Sequence, residues 1–440
     1  MEKGGEEVSP IAVGILSFVV LFALLLVGLP VGVGLALVGF AGLWYLISPA
    51  AAMVKLATVP FDTVCNFNFS ALPLFIFMAQ VGFTSGLSKD LYNLAARWLG
   101  RLPGGIAMAT IGGCAGFAAI SASSVATAVT MGTVALPEMK RYKYDPALAT
   151  GSVTAGGALG ILIPPSGVFL LYGILTETSI GKLFIAGVIP GVLLAAFYMI
   201  TIYILCKRNP ALGPRGPSYT LRQKLAAFGG VGEVLGLIAL VLGGLLLGWF
   251  TATEAGAVGA FGAIALSLIR KRLDWEKFKH AVIETLKTTG MIYGILIGAF
   301  IFTPFIAATQ IPMWLSAFIT GLGVSPMLIM VIIILTYILL GTAMEENTML
   351  FTTLPLFFPL ALSLGFDPIW FGVIVVRMMM IAMISPPVGI NLFVIQGVSK
   401  EPMSTIFRGV IPFLIADVFH VALLLAVPQI STFLPSFMRY

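Results

Sequence analysis

Apolar residues run from Ile11 to Leu29 and from Val31 to Ile47, and a mixed segment then leads into a third run from Phe69 to Leu87. Each run approaches the ~20 apolar residues a helix needs to cross a bilayer, which predicts three spans. Ser88 to Gly100 places apolar residues at helical spacing among Lys89, Asp90 and Arg97, with Arg101 just beyond. That pattern suits a helix lying along an interface. Gly104 to Pro137 is rich in small residues, holds a polar knot of Ser121, Ser123 and Ser124, and meets no charge before Glu138. Pro146 to Thr176 is long enough to span but is interrupted at Pro164-Pro165-Ser166-Gly167, and Leu183 to Cys206 is an unbroken span. A polar, basic linker with prolines at 210, 214 and 217 occupies residues 207–224 and marks the midpoint boundary.

The pattern then recurs. Spans are predicted near Val231 to Phe250 and Glu254 to Ile269, an interfacial stretch from Asp274 to Lys287, and a span from Thr288 to Thr309, with an amphipathic segment ending near Pro326. A long apolar block from Met327 to Leu364 carries Glu345, Glu346 and Asn347 in its middle. Pro368 to Val398 is interrupted at Pro386-Pro387-Val388-Gly389, and the last span runs from Gly409 to about Pro428. Asp145-Pro146 and Asp367-Pro368, Pro164-Pro165 and Pro386-Pro387, and Gly187-Val188-Ile189-Pro190 and Gly409-Val410-Ile411-Pro412 are each 222 residues apart. Three matches at one offset without a gap indicate an internal duplication. The same offset sets Ser123-Ser124 against Glu345-Glu346 and Pro137 against Pro359. The expected halves are residues 1–206, with hairpin 104–137 and broken helix 146–176, and residues 225–440, with hairpin 326–360 and broken helix 368–398.

Composition sharpens the class. The 440 residues are 59% hydrophobic and 10% charged, with mean hydropathy +1.07. A soluble domain carries about 25% charged residues, so a soluble enzyme is excluded and an all-α polytopic membrane protein is predicted. The 49 glycines and 26 prolines fit helices broken where backbone lines a cavity. If both knot-bearing blocks are re-entrant hairpins, each half crosses five times, and the odd number inverts the second repeat relative to the first. With a periplasmic N-terminus, 19 of the 24 lysines and arginines then face inward; Lys3, Lys55, Lys182 and Arg439 face outward and Arg377 lies within a span. The positive-inside rule favours that arrangement. The net charge of +6 is therefore loop charge that sets topology, and nucleic acid is not an expected partner. Cys65, Cys114 and Cys206 are isolated, which suggests neither a disulfide framework nor a thiolate metal site. Glu2, Glu6 and Glu7 outnumber Lys3, so the N-terminus lacks the basic start of a signal peptide and the first span is expected to be retained.

A hairpin tip and a Pro-Pro break both leave carbonyls and N–H groups without helical partners. Carbonyl and hydroxyl oxygens suit Na⁺, and opposed helix N-termini suit a carboxylate. The candidates for a first Na⁺ site are Ser121, Ser124, Gly160, Ile163 and Pro165; those for a second are Gly341, Glu345, Asn347, Ala382, Ser385 and Pro387. The substrate-side candidates are Ser121, Ser123, Ser166, Thr342, Arg377 and Asn391. The competing reading is that the hydroxyls bond back to their own helices and that Pro-Pro is only a kink. Arg377 lies nine residues beyond Pro368, about 13 Å along a helix and so near mid-depth. It either contacts an anionic substrate or pairs with Glu345 or Glu346. His280 and His420 are scattered and lack acidic neighbours, Asp417 reads as interior polar structure, Glu254 as a helix cap, and Met378 to Met380 as packing. The serine knot has no nearby base and no phosphate-binding loop is present, so neither an enzyme nor a cofactor beyond the coupling ion is expected.

Leu102-Pro103-Gly104-Gly105, the serine knot with Val125-Ala126-Thr127-Ala128, Pro137-Glu138-Met139, Tyr144-Asp145-Pro146 and Ile163-Pro164-Pro165-Ser166 resemble the large permease subunit of tripartite ATP-independent periplasmic (TRAP) transporters, the DctM type. Gly341 to Asn347, Phe366-Asp367-Pro368 with Phe371 to Val376, and Ser385 to Val394 are similar to that family's second hairpin and broken helix, and the likeness runs from about residue 10 to the end. Two positions depart from the pattern: Ala252, where proline is common before Thr-Glu, and Arg377, where an uncharged or amide residue is usual. The resemblance implies a Na⁺-driven importer of a small organic acid in a bacterial inner membrane. It implies two partner proteins, a periplasmic substrate-binding protein and a small four-helix membrane subunit. It also implies an elevator, in which each hairpin with its broken helix forms a transport domain moving against a scaffold that includes the spans before and after them. A stand-alone Na⁺/dicarboxylate carrier and an ion channel are the alternatives.

Overall fold

Short polar caps and prolines, rather than charges, mark the first helix starts. Ser9 Oγ accepts the Ala12 N–H (3.2 Å) ahead of α1 (Pro10–Leu26), Pro30 precedes α2 (Val31–Leu46), and Ser48 Oγ accepts the Ala51 N–H (3.1 Å) ahead of α3 (Pro49–Cys65). These supply acceptors or remove donors where helical partners are missing. The computed structural model describes residues 9–321, 323–341, 344–386 and 389–438. The segment that reads as mixed before Phe69 is thus a helix of its own: Lys55 and Asp62 interrupt the apolar run but sit on an exposed face, where they leave the backbone ladder intact.

There follow α4 (Ala71–Thr84), α5 (Leu87–Leu99), α6 (Gly105–Ser121), α7 (Ser124–Arg141), α8 (Pro146–Ala158), α9 (Gly167–Thr176), α10 (Ile180–Arg208), α11 (Leu221–Phe228), α12 (Gly232–Leu246) and α13 (Ala252–Ile269). The chain continues through α14 (Trp275–Ala308), α15 (Ile311–Gly321), α16 (Pro326–Gly341), α17 (Glu346–Ser363), α18 (Pro368–Ile384), α19 (Ile390–Ser399), α20 (Met403–Ala426) and α21 (Gln429–Thr432). Among the described residues every regular element is helical. Helix α14 merges the predicted interfacial stretch and the following span into 34 residues, because Lys287-Thr288-Thr289-Gly290 contains no proline to end it. The last span begins earlier than its apolar run, at Met403, where Pro402 sets the helix start. Helix boundaries recur along the chain: α7 and α17 both start and end 222 residues apart, α8 and α18 start 222 apart, and α9 with α19 and α10 with α20 start 223 apart.

Among the described residues five helical stretches are long and apolar enough to cross a membrane singly: Phe67–Thr84, α10, α13, α14 and α20, with a sixth if α11 and α12, bent by 55°, form one span. Helices α1, α2, α6, α9, α16, α18 and α19 are apolar but shorter, at 10–17 residues, so the predicted spans at α1 and α2 fall just under the 18-residue length.

Two compact units interleave along the sequence: one holds Met1–Phe69, Lys287–Ile333 and Asn347–Pro368, the other Ser70–Leu286, Ile334–Glu346 and Ile369–Tyr440. In the first, α2 meets α14 backbone to backbone. A Cβ on Gly39 would lie 2.7 Å from Phe302 Cα, and one on Gly298 would overlap the Gly32 carbonyl. Phe302 in turn packs edge-on against Phe18 of α1 at 5.8 Å. Where water exerts no drive between helices, such close approach supplies the dispersion that holds them.

In the second unit the midpoint linker binds the basic end of the first hairpin. Gly104 and Asp145 N–H donate to the Gly213 and Leu212 carbonyls (3.0 and 2.9 Å), and Gly216 N–H donates to the Gly100 carbonyl (2.8 Å). Tyr144 O–H donates to the Pro214 carbonyl (2.8 Å) and accepts the Ile106 N–H (3.1 Å). Burial pushes the Tyr144 phenol up to about 12, so the donated proton stays in place at neutral pH. Arg270 joins Glu233 (2.8 Å) and Asp90 (3.7 Å), and Arg272 also reaches Asp90, which fastens α5 to the ends of α12 and α13. Asp145 Oδ1 caps α8 by accepting the Ala147 and Leu148 N–H groups (2.9 and 3.1 Å). Asp145→Ala is expected to lower stability by about 1 kcal/mol and Asp145→Asn by much less. Thermal unfolding midpoints check this, and equal midpoints for Asp145→Ala and the parent would remove the cap from the account.

Candidate ion and substrate site at the first hairpin

Helices α6 and α7 form an antiparallel pair whose tip is Ala122-Ser123. Ala122 takes a left-handed conformation (φ 52°) that ends α6, and Ser123 Oγ accepts the Ala126 N–H (3.4 Å) that starts α7. Two residues suffice for the reversal because one end is capped by conformation and the other by a side chain. Three oxygens gather at this tip: Ser121 Oγ lies 2.6 Å from Thr127 Oγ1 and 3.3 Å from the Ser123 carbonyl, which also accepts from Thr127 Oγ1 (2.7 Å).

The broken helix supplies the other wall. After α8 the chain tightens into a 3-10 turn, Leu159–Ile161, and resumes at α9, where Ser166 Oγ caps the Phe169 N–H (3.4 Å) and donates to the Ile161 carbonyl (2.5 Å). Gly160 stands against the tip: a Cβ there would overlap the Ser123 carbonyl and lie 2.8 Å from Thr127 Oγ1. Gly167 N–H, at the start of α9, reaches the Ala122 carbonyl (3.4 Å).

The structure therefore brings Ser121, Ser123 and Gly160 together and adds Thr127, which sequence reasoning passed over; its spacing of four from Ser123 on one helix face was the available signal. Ile163 lies further along, against Gly191 of α10, and Pro165 is buried in the wall of a narrow apolar cleft that Met78, Ile120, Leu237 and Val241 also line. Ser124 turns instead toward the second half of the chain. Its Oγ accepts the Asn391 Nδ2 hydrogen bond (2.7 Å), and both residues are fully buried although 267 positions apart. Asn391 Oδ1 has no hydrogen-bond partner among the described residues. A buried amide oxygen left so is costly unless a ligand or water completes it. The N-termini of α7, α9 and α19 thus converge near the tip, as do the C-terminal ends of α6 and the 3-10 turn. N-termini carry partial positive charge and C-termini partial negative charge, so one place favours an anion and its neighbour a cation.

Of the second constellation, Thr342 and Pro387 lie outside the described residues. Gly341 ends α16, Glu345 is exposed just ahead of α17, and Asn347 is the second residue of that helix. Ala382 and Ser385 close α18: Ser385 N–H donates to the Ala382 carbonyl (3.3 Å), and Ser385 Oγ bonds back to the Ile381 carbonyl (2.6 Å), the local bonding expected of a helical serine.

Arg377 is fully buried, and its partner is neither Glu345 nor Glu346. Nη2 donates to Asp417 Oδ1 (2.7 Å), Nε to His420 Nδ1 (3.1 Å), and Nη1 to the Met380 sulfur (3.2 Å). Asp417 and His420 are accordingly members of one cluster, on adjacent turns of α20. The sequence hides this because the partners lie 40 and 43 residues away on another helix; their mutual spacing of three was the only clue.

The sequence matches the family described as tripartite ATP-independent periplasmic transporter, DctM component, over residues 18–430. It is 36% identical over 387 residues to the C4-dicarboxylate TRAP transporter large permease protein DctM of Pseudomonas aeruginosa, covering 87% of this chain and 90% of that one. It is 30% identical over 413 residues to the sialic acid TRAP transporter large permease protein SiaM of Vibrio cholerae, covering 94% and 96%. Its fold resembles the Alcanivorax borkumensis YdaH transporter at a TM-score of 0.66 and 14% identity, covering 87% of this chain and 89% of the other. The likeness along nearly the whole chain places this protein in the DctM family, the large permease component of TRAP transporters.

Proposed function

We propose that this chain is the large permease of a Na⁺-coupled secondary transporter that imports a small organic acid across the bacterial inner membrane, received from a periplasmic binding protein and supported by a small membrane subunit. The observation that carries the reading is the meeting of helix ends at the first hairpin, where Ser124 and Asn391 join two N-termini beside the Ser121, Ser123 and Thr127 oxygens, with the Gly160 backbone packed against them. The cluster offers only hydroxyl and carbonyl oxygens, hard donors that suit Na⁺. The joined N-termini, with Ser166 at a third, suit a carboxylate. The relatives' names support the substrate class, since C4-dicarboxylates and sialic acids both carry carboxylates.

A second Na⁺ site formed by Gly341, Thr342, Glu345, Asn347, Ala382, Ser385 and Pro387 belongs to the same proposal, on the strength of the 222-residue offset. So do inverted repeats, a periplasmic N-terminus and elevator movement. The moving body would take in α10 and α20 rather than leave them in the scaffold, because α20 meets α8 backbone to backbone at Gly151 and Gly409, and Gly187 of α10 approaches the Leu162 carbonyl. Arg377 is left out of the substrate contacts: it is fully buried and all three of its nitrogens face protein acceptors.

Vesicles holding this chain with its small subunit and binding protein should accumulate succinate or N-acetylneuraminate under an inward Na⁺ gradient without ATP. Replacing Na⁺ by K⁺ at equal ionic strength should reduce uptake to background. Uptake that survives the replacement overturns the coupling.

A further inference from the structure

Between Trp370 and Ile384 every residue of α18 is buried, and only Trp370 and Arg377 carry strong side-chain donors. Packing already constrains the first turns of this helix, where Gly372 stands against Tyr172 and Leu183. Directional hydrogen bonds add to that constraint along an otherwise apolar helix. Trp370 Nε1 donates to the Leu424 carbonyl (3.1 Å) of α20; seven residues onward Arg377 donates to Asp417, seven residues back from Leu424. The two bonds therefore report one antiparallel register. A slip of one residue would turn α18 by about 100° and shift it by about 1.5 Å, breaking both.

Arg377 also ties this pair to α10. Asp417 Oδ1 accepts the Tyr198 O–H (2.8 Å), and because Arg377 Nε donates to His420 Nδ1, the imidazole proton sits on Nε2, which faces the Pro190 carbonyl (3.1 Å). One guanidinium and one carboxylate leave the cluster neutral, with a neutral imidazole and phenol around them. Asp417 Oδ2 has no hydrogen-bond partner among the described residues, so the pair is incompletely satisfied. Buried pairs of this kind contribute little net stability over apolar residues of the same size; their best-attested use is to fix register.

We propose that Arg377 is a positioning residue that sets the register of α18 on α20 and α10 and so places the end of α18, where Ala382 and Ser385 stand before the helix break. The proposal rests on this geometry alone and does not depend on the transport reading.

A reporter that needs no substrate tests it. In the assembled complex, with Cys65, Cys114 and Cys206 replaced by alanine, Ser385→Cys is labelled with a methanethiosulfonate reagent and the rate is followed. Because Ser385 is only 8% exposed, Arg377→Met should change that rate by about tenfold or more, as rotation of the helix re-aims the thiol. Arg377→Lys, which keeps the ion pair, should stay near the parent. The double variant Arg377→Met with Asp417→Leu should recover the unfolding midpoint lost in the single variant, since no buried charge is left unpaired, yet keep the altered labelling rate. A parental rate in the single or the double variant overturns the proposal, because Arg377 would then only neutralise Asp417. If the single variant fails to fold, the double carries the test; a double that also fails to fold overturns the proposal, since the pair would then be required for the fold itself.

Discussion

Replacing Gly409 by leucine is expected to leave little folded protein. Helix α20 crosses α8 with glycine on both sides: a Cβ on Gly409 would overlap the Ala147 carbonyl oxygen and lie 2.8 Å from its carbon, and one on Gly151 would lie 3.0 Å from Gly409 Cα. Backbone has no alternative rotamer, so the added atoms force the helices apart instead of repacking a side chain. Overpacking that side chains can partly relieve costs 1–3 kcal/mol; without such relief the cost should reach about 3 kcal/mol or more. That is a large share of a typical folding free energy. The control is Gly243→Leu, since nothing lies within 4 Å of a Cβ there. Yield of monodisperse protein in detergent and the unfolding midpoint are the measurements. A Gly409→Leu protein that melts with the Gly243→Leu control would show that α8 and α20 do not need their close crossing.

A comparable close contact occurs at the other copy of the sequence motif. Gly187 and Gly409 occupy equivalent places in the repeated Gly-Val-Ile-Pro motif, and a Cβ on Gly187 would lie 2.6 Å from the Leu162 carbonyl. The repetition preserves a steric requirement, two glycines against two carbonyls, and need not mark a ligand.

Apolar runs and proline placement made the helices legible, because hydropathy and missing N–H groups act within a few residues of where they are read. The first hairpin tip and the first break fall where Ser121 to Ser124 and Pro164-Pro165 pointed, and α18 ends at Ile384, just ahead of Pro386. Helix α3 escaped because hydropathy reports burial, and an exposed helix need not be apolar. What spacing could not supply was facing. Nothing local to Ser124 announces Asn391, 267 residues on, and nothing local to Arg377 announces Asp417. Those pairings are set by which helices cross and at what rotation, and they leave no period in the chain.

Gly160→Ala is expected to raise the Na⁺ concentration for half-maximal uptake and to lower maximal uptake by as much as roughly 100-fold, the scale of loss that an error of about 1 Å brings where positioning limits a reaction. The added methyl would overlap the Ser123 carbonyl and press on Thr127 Oγ1, so the hairpin tip must withdraw from the break. The change is steric and removes no oxygen, which separates it from chemical deletion. Thr127→Val removes a hydroxyl at nearly constant volume, and should raise the Na⁺ requirement by a smaller factor because the Ser123 carbonyl and Ser121 hydroxyl remain. If the oxygens serve only to bond to one another, Thr127→Val leaves Na⁺ dependence unchanged and Gly160→Ala lowers uptake at every Na⁺ concentration alike. If they hold the ion, both variants shift the Na⁺ curve, and the steric one shifts it further. The ordering of the two shifts, measured on protein of parental unfolding midpoint, therefore decides whether the converging C-terminal ends of α6 and the 3-10 turn are a cation site or only a closed joint between hairpin and helix.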